Sequence, residues 1–236
     1  QTSSLSFGET WHYFEQELKY PVTVIGTDYF KSIPLEKYDV LIIPPGNYRI
    51  FDEEQLSKLG DWVSKGGRLI ITAQALNSFA GKGGFALKKY ATDDAKKEGE
   101  KITEKKEKDL LVAFEEAERE ELSNSIFGAI YKVTMDESHP LSFGLNKSYF
   151  SLRTTELRFD YLKDAWNVGT LRGKVKPLIG FAGYKANQSL SDTMVFGVED
   201  KGKGQIIYLV DNPLFRSFWE NGKMLFTNAV FVVGGQ

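Results

Sequence analysis

Residue types that do chemistry are scarce in this sequence. Two histidines, His12 and His139, are its only imidazoles, and it contains no cysteine. Thiolate nucleophiles, thiolate metal sites and disulfides are excluded, and acid–base relays through imidazole are left with two candidates. One spacing gives those histidines a task. In His12-Tyr-Phe-Glu15 an imidazole and a carboxylate share one face of a helix, within reach of a single ion. With His139 they would make a three-ligand zinc site that keeps a position for water, the arrangement of a zinc-dependent hydrolase. Against this, His12 lies on an amphipathic segment with no strand delivering it to a loop, and no further glutamate or arginine completes a hydrolytic site. The competing reading is a helix-face histidine and a loop histidine held by hydrogen bonds. The Gly81-Lys-Gly-Gly84 loop has no hydroxyl residue after its lysine, so it is a poor phosphate cradle. There is no G-x-S-x-G elbow, no Walker A motif, no G-x-G-x-x-G after a strand and no H-E-x-x-H. No cofactor is expected. Asn146-Lys-Ser148 and Asn187-Gln-Ser189 match glycosylation acceptors, which matter only in a secreting eukaryotic host.

The bulk properties exclude further classes. Thirty basic against thirty-two acidic residues give a net charge of -2, so there is no electrostatic case for nucleic acid. No apolar run is long enough to span a membrane. With 236 residues, 42% hydrophobic and 14% aromatic, the chain can bury one sizeable core, and residues 1–236 read as a single domain. Charge is concentrated in one place: 21 of the 34 residues from Lys88 to Glu121 are charged. That segment reads as a solvated helical insertion, with Leu110, Leu111, Phe114 and Ala117 as a weak apolar face. A partner-binding helix is the alternative.

The elements that must position any site alternate between helix and strand. Glu9–Lys19 reads as a helix with Trp11, Phe14 and Leu18 on one face. Pro21–Ile25 and Asp39–Ile43 are β-branched or aliphatic runs, the second stopped by Pro44-Pro45-Gly46. Asp52–Ser64 is helical with an acidic first turn, closes at Gly66-Gly67 and leads into the strand Arg68–Thr72. Continuous apolar strands between amphipathic helices indicate an α/β fold with a parallel sheet covered on both faces. Ala129–Thr134 is a further strand and Ser138–Gly144 a loop. The last third is strand-rich, with candidates at Trp166–Leu171, Pro177–Tyr184, Thr193–Val198 and Gln205–Val210. A hairpin turn over Asp200–Gly204 joins the final two, and Lys223–Val230 closes the chain as an apolar helix.

Several short blocks together resemble a known family. They are Gly8–Phe14, Tyr38–Gly46, Trp62–Ile70, Ser138–Leu141, Tyr208–Arg216 and Leu225–Ala229. The succession is similar to the class I glutamine amidotransferase-like domain, in particular the one C-terminal to the peptidase domain of some secreted bacterial zinc carboxypeptidases, and it covers nearly the whole chain. The resemblance implies a three-layer, flavodoxin-like, mostly parallel sheet. It also implies a first strand before Gly8, which Gln1–Phe7 supplies only poorly, so the chain is expected to be a fragment of a longer one. The family's glutaminases carry a nucleophilic cysteine in the turn after the strand read here as Arg68–Thr72. This sequence has Ala73-Gln-Ala75 there, with Gln74 in the nucleophile's place. Their catalytic histidine falls near Asp211-Asn-Pro213, where no imidazole stands. The Pro45-Gly46-Asn47 turn would still present oxyanion-type N–H groups. The implied product is a non-catalytic accessory or binding domain of a larger exported bacterial protein, secreted or periplasmic, whose partner is an upstream peptidase domain of the same chain. The alternative is a zinc carboxypeptidase-like hydrolase using His12, Glu15 and His139. Ligands of open α/β sheets bind at the carboxyl ends of strands. The expected pocket is therefore Gly46, Asn47, Gln74, Asp211 and Asn212, with Arg216, Phe218 and Trp219 as a rim suited to a carbohydrate or a peptide.

Overall fold

A computed structural model describes residues 1–90 and 114–234, the side chains of 114 and 115 excepted. Most of the charged insertion, including Leu110 and Leu111, lies outside the described residues. The part within them begins the helix Phe114–Asn124, on which Ala117 is exposed.

Eight strands form one sheet: β1 (Val40–Ile43), β2 (Arg68–Thr72), β3 (Ile126–Met135), β4 (Ser148–Arg153), β5 (Trp166–Leu171), β6 (Ile179–Ala182), β7 (Thr193–Lys201) and β8 (Gly204–Leu209). Their order is β1-β2-β8-β7-β5-β3-β4, with β6 also on β3. Among the described residues five α-helices accompany them: α1 (Ser4–His12), α2 (Glu53–Ser64), α3 (Phe114–Asn124), α4 (Tyr184–Ser189) and α5 (Glu220–Thr227). The expectation of a mostly parallel sheet applies to one half only. β1, β2 and β8 are parallel, whereas β8–β7, β7–β5, β5–β3, β3–β4 and β3–β6 are antiparallel. Parallel neighbours need a crossover, and the one from β1 to β2 is α2, while β7 and β8 need only a two-residue turn. Lys201 pairs with Gly204 across that turn, and Gly202 has a φ of 62°, which suits glycine.

Both faces of the parallel half are covered, because its strands are apolar at successive positions. Leu41, Ile43, Leu69, Ile71, Ile206 and Tyr208 pack beneath α2 through Leu56, Leu59, Trp62 and Val63. Ile70, Ile207 and Leu209 face the other way, toward Tyr13, Phe14, Leu225, Phe226 and Val230. Asp52 caps α2 by accepting a hydrogen bond from the N–H of Gln55 at 2.9 Å, the job its position predicts.

Three local readings change. The first helix starts at Ser4, ends at His12 and continues as a π-helical turn, Tyr13–Leu18. Residues 21–25 form no strand and make no backbone hydrogen bond to a described residue. A cavity of about 450 Å³, lined by Val22, Ile25, Val40 and Ile42, lies between them and the β1 edge. A β-branched run becomes a strand only where a neighbour exchanges hydrogen bonds with it, and here none does. Finally, the Pro177–Tyr184 segment is a strand only over Ile179–Ala182 and turns into α4 at Tyr184.

Candidate functional site

A cavity of about 1110 Å³ opens at the carboxyl ends of the parallel strands. Gly46, Asn47, Gln74, Asp211, Asn212 and Arg216 all line it, as their strand-end positions predict. Trp219 does not. Its indole N–H donates to the carbonyl of Phe150 at 3.1 Å, and Phe218 stacks edge-to-face with Phe215 and Trp219 rather than facing the cavity. The aromatic rim expected from sequence is thus reduced to Phe215, over whose ring the Arg216 guanidinium lies at 5.3 Å.

The turn after β1 is fixed by the chain's first residues. Ser3 donates its N–H to Pro45 O, and Asn47 donates its N–H to Gln1 O, both at 3.0 Å. A Cβ on Gly46 would stand 2.6 Å from Gln1 O, so only glycine admits this approach. The N–H of Asn47 is therefore engaged, which corrects its reading as an oxyanion donor.

After β2 the backbone bends sharply. The residue forced into the left-handed region is Ala73, with a φ of 47°, not Gln74, which follows it on the exposed wall of the cavity. An L-residue in that region costs about 1–2 kcal/mol, and such strain concentrates where a site needs a sharp turn. Arg216 and Ser217, also on the cavity wall, have φ values of 49° and 56°. At the bend this protein presents a methyl group, so the position holds no nucleophile.

Glu9 also lines the cavity, and no local pattern around it marks that role. One of its carboxylate oxygens accepts from the Asn212 side-chain amide at 2.7 Å, the other from the backbone N–H of Arg216 at 2.7 Å. These partners are some 203 to 207 positions apart in sequence. Glu9→Ala should loosen the 212–216 loop and lower the unfolding free energy by about 3 kcal/mol, the low end for two hydrogen bonds to a charged group at about 1.5–3 kcal/mol each. Urea denaturation checks this, and an unchanged midpoint would contradict the clamp.

The cavity floor is polar and buried. Asp211 and Arg153 are 4% and 2% exposed, and Tyr149 and Ser151 are fully buried beside them. Burial pushes the Asp211 carboxyl up to about 6; the neighbouring Ser151 hydroxyl, Arg153 charge and Tyr149 hydroxyl pull the other way without cancelling it. Burial likewise lowers the Arg153 pKa and raises that of Tyr149. An Arg153 amino group donates to the Leu157 carbonyl. Yet neither Asp211 oxygen, nor the Tyr149 or Ser151 hydroxyl, completes a hydrogen bond with a described residue. These atoms are sealed from solvent, with the two hydroxyls beside the carboxyl.

The zinc reading is corrected by placement. His12 lies at the edge of the cavity with its Nδ1 3.4 Å from a Glu17 carboxylate oxygen. His139 sits between β3 and β4, where its Nδ1 accepts from the N–H of Leu141 at 3.1 Å and its ring lies 6.2 Å from that of Trp166. Burial there lowers its pKa, against the pull of Asp136 and Asp200. Among the described residues, His12, Glu15 and His139 included, no three His, Cys, Asp or Glu side chains converge to hold a metal ion. His12 ends α1 and Glu15 lies in the π-helical turn after it, whereas His139 belongs to a different part of the sheet.

No protein-family model matches this sequence, and no curated protein matches it. Solved structures do. A ThuA-like protein from Parabacteroides merdae ATCC 43184 superposes with a TM-score of 0.58 at 12% identity, over 100% of this chain and 88% of the other. A ThuA-like protein from Bacteroides uniformis ATCC 8492 gives 0.47 at 15% identity, over 96% and 83%. The exo-β-1,4-mannosidase Op5Man5 from Opitutaceae bacterium strain TAV5 gives 0.48 at 14% identity, where 98% of this chain spans only 31% of the enzyme. At such identities the likeness speaks to fold alone. The chain has an α/β fold similar to that of the Parabacteroides merdae ThuA-like protein.

Proposed function

We propose that this chain is a non-catalytic binding domain that takes a small polar ligand into the cavity at the carboxyl ends of β1, β2 and β8. The observation that carries the reading is Ala73. The strained turn after β2 keeps the geometry that would present a nucleophile, and its side chain is a methyl group. What remains is a built concavity with polar walls and a buried carboxyl on its floor. The finer assignment, an accessory domain of an exported bacterial protein with an upstream zinc peptidase domain, is supported by the sequence resemblance. Reading the gene upstream of the Gln1 codon tests that assignment.

The binding reading is tested with the purified chain. No turnover above buffer is expected with glutamine, p-nitrophenyl acetate or a dipeptide with a free carboxylate, and a rate abolished by Asp211→Asn would overturn the non-catalytic part. A ligand present at 100 times its Kd stabilises by about 2.7 kcal/mol. Thermal shift against saccharides and dipeptides should therefore reveal at least one stabilising compound, whose effect is reduced by Gln74→Arg.

A further inference from the structure

We infer that the cavity along the β1 edge is the berth of one further β-strand, an apolar segment about as long as β1 that runs parallel to it and leads into Gln1. This cavity shares no lining residue with the one at the carboxyl ends of the strands. β1 stands at the end of the strand order, so one of its edges has no strand beside it. Across the cavity of about 450 Å³, residues 21–25 make no backbone hydrogen bond with a described residue. Two rows of peptide groups therefore flank one cavity, and peptide groups next to a core are nearly always paired. A single strand between them would exchange hydrogen bonds with both at the ordinary spacing of about 4.8 Å.

The lining sets the chemistry of that strand. Val22, Val40 and Ile42 border one core and Ile25 and Ile50 the other, all of them half-buried, so both cores stop short at this cavity. A strand that completes both is apolar at successive positions, as β1 itself is. It would also cover Phe7 and Trp11 of α1, which line the cavity while 40% and 41% exposed.

Direction and source follow from the turn at Gln1–Ser3. That turn lies across the carboxyl end of β1, held by its backbone bonds to Pro45 and Asn47. The Gln1 side-chain oxygen adds two more, accepting from the N–H groups of Arg49 and Ile50. Thr2 lines the cavity at that end, and α1 starts directly afterwards at Ser4, so the turn has the length of a strand-to-helix connection. Polypeptide that reaches Gln1 along the cavity thus runs with β1, not against it. α1 and its π-helical turn then carry the chain on to residues 21–25, as a crossover between parallel strands does.

The test lengthens the chain before Gln1 by about ten residues read from the gene, enough for a strand and its turn. Amide hydrogen exchange then compares this protein with the chain that starts at Gln1. Exchange within Val40–Ile43 and within residues 22–25 should slow at least about tenfold at the amides that gain a bond. The same extension with lysine at its apolar positions is the control and should exchange like the shorter chain. Slower exchange in β1 alone would overturn the placement between two neighbours. Unchanged exchange in both segments, or a gene with no apolar run of that length before the Gln1 codon, would overturn the berth altogether. A gene that encodes the strand but no peptidase domain would remove the peptidase assignment and leave the berth standing.

Discussion

Phe226→Ala is expected to lower the unfolding free energy by about 3–5 kcal/mol, the usual cost of emptying a buried aromatic site. Phe226 is 1% exposed, and its ring meets Tyr13 and Phe14 edge-on at centroid distances of 5.8 and 6.1 Å. Those contacts dock α5 on the π-helical turn that continues α1. The Tyr13 hydroxyl bonds to Thr227 across the same joint, and Lys223 pairs with Glu17 at 2.8 Å. Because α1 also carries Glu9, the substitution should loosen the 212–216 loop and reduce ligand affinity along with stability. Urea unfolding measures the first effect and ligand titration the second. Phe218→Ala, at a ring 56% exposed, serves as the control and should cost little. A similar loss in both variants would show that burial is not the cause.

Stability should also depend on Asp211 through pH. Its carboxyl titrates near 6 in the folded chain, against 3.8 when unperturbed, because burial disfavours the charged form. The folded state therefore holds the proton more tightly than the unfolded state. The stabilisation this brings is complete below pH 3.8 and is lost as pH rises through about 6. At 1.36 kcal/mol per pH decade the difference is about 3 kcal/mol. The groups facing Asp211 are Arg153, Tyr149 and Ser151, and neither the guanidinium nor the phenol changes charge in this window. His139 acts in the opposite direction, since burial lowers its pKa and its contribution is lost as pH falls below 6.5. Asp52 and Asp136, whose pKa values are lowered by hydrogen bonds from Lys31 and Ser138, lose theirs only as pH falls below 3.8. The informative quantity is thus the difference between wild type and Asp211→Asn, which keeps His139. Chemical denaturation between pH 4 and 7 should show the wild type losing stability relative to the variant by up to about 3 kcal/mol. Parallel profiles would mean that Asp211 titrates near its ordinary value.

Much of the parallel half was legible because its signals are local. Val40–Ile43 and Leu69–Ile71 are uninterrupted aliphatic runs, and β1 and β2 occupy nearly the same residues. Asp52 before an acidic turn predicts the cap that α2 has. Once those strands are parallel, the residues just beyond them converge at one edge of the sheet, which is why Gly46, Gln74 and Asp211 meet in one cavity without any contact having been known.

The remainder depended on partners that a linear pattern does not name. β4, Ser-Tyr-Phe-Ser-Leu-Arg, went unrecognised because it buries Ser151 and Arg153 and leaves Phe150 exposed, the reverse of what hydropathy assigns. Pro21–Ile25 has strand composition and no strand, since pairing belongs to two segments and propensity to one. His12, Glu15 and His139 had a plausible spacing, but His139 went to the loop after β3, away from α1. The Glu9 clamp joins residues more than 200 positions apart. By itself the sequence determined the α/β class, the strands whose cores are continuous, the absence of thiol chemistry and the sheet edge at which the cavity opens. Only the tertiary structure decided that Ala73 takes the strained turn, that most of the sheet's strand pairs are antiparallel and that a carboxyl, a guanidinium and two hydroxyls are buried together beneath the cavity. Those features are set by burial and by partners distant along the chain, whereas the sequence carries local preference.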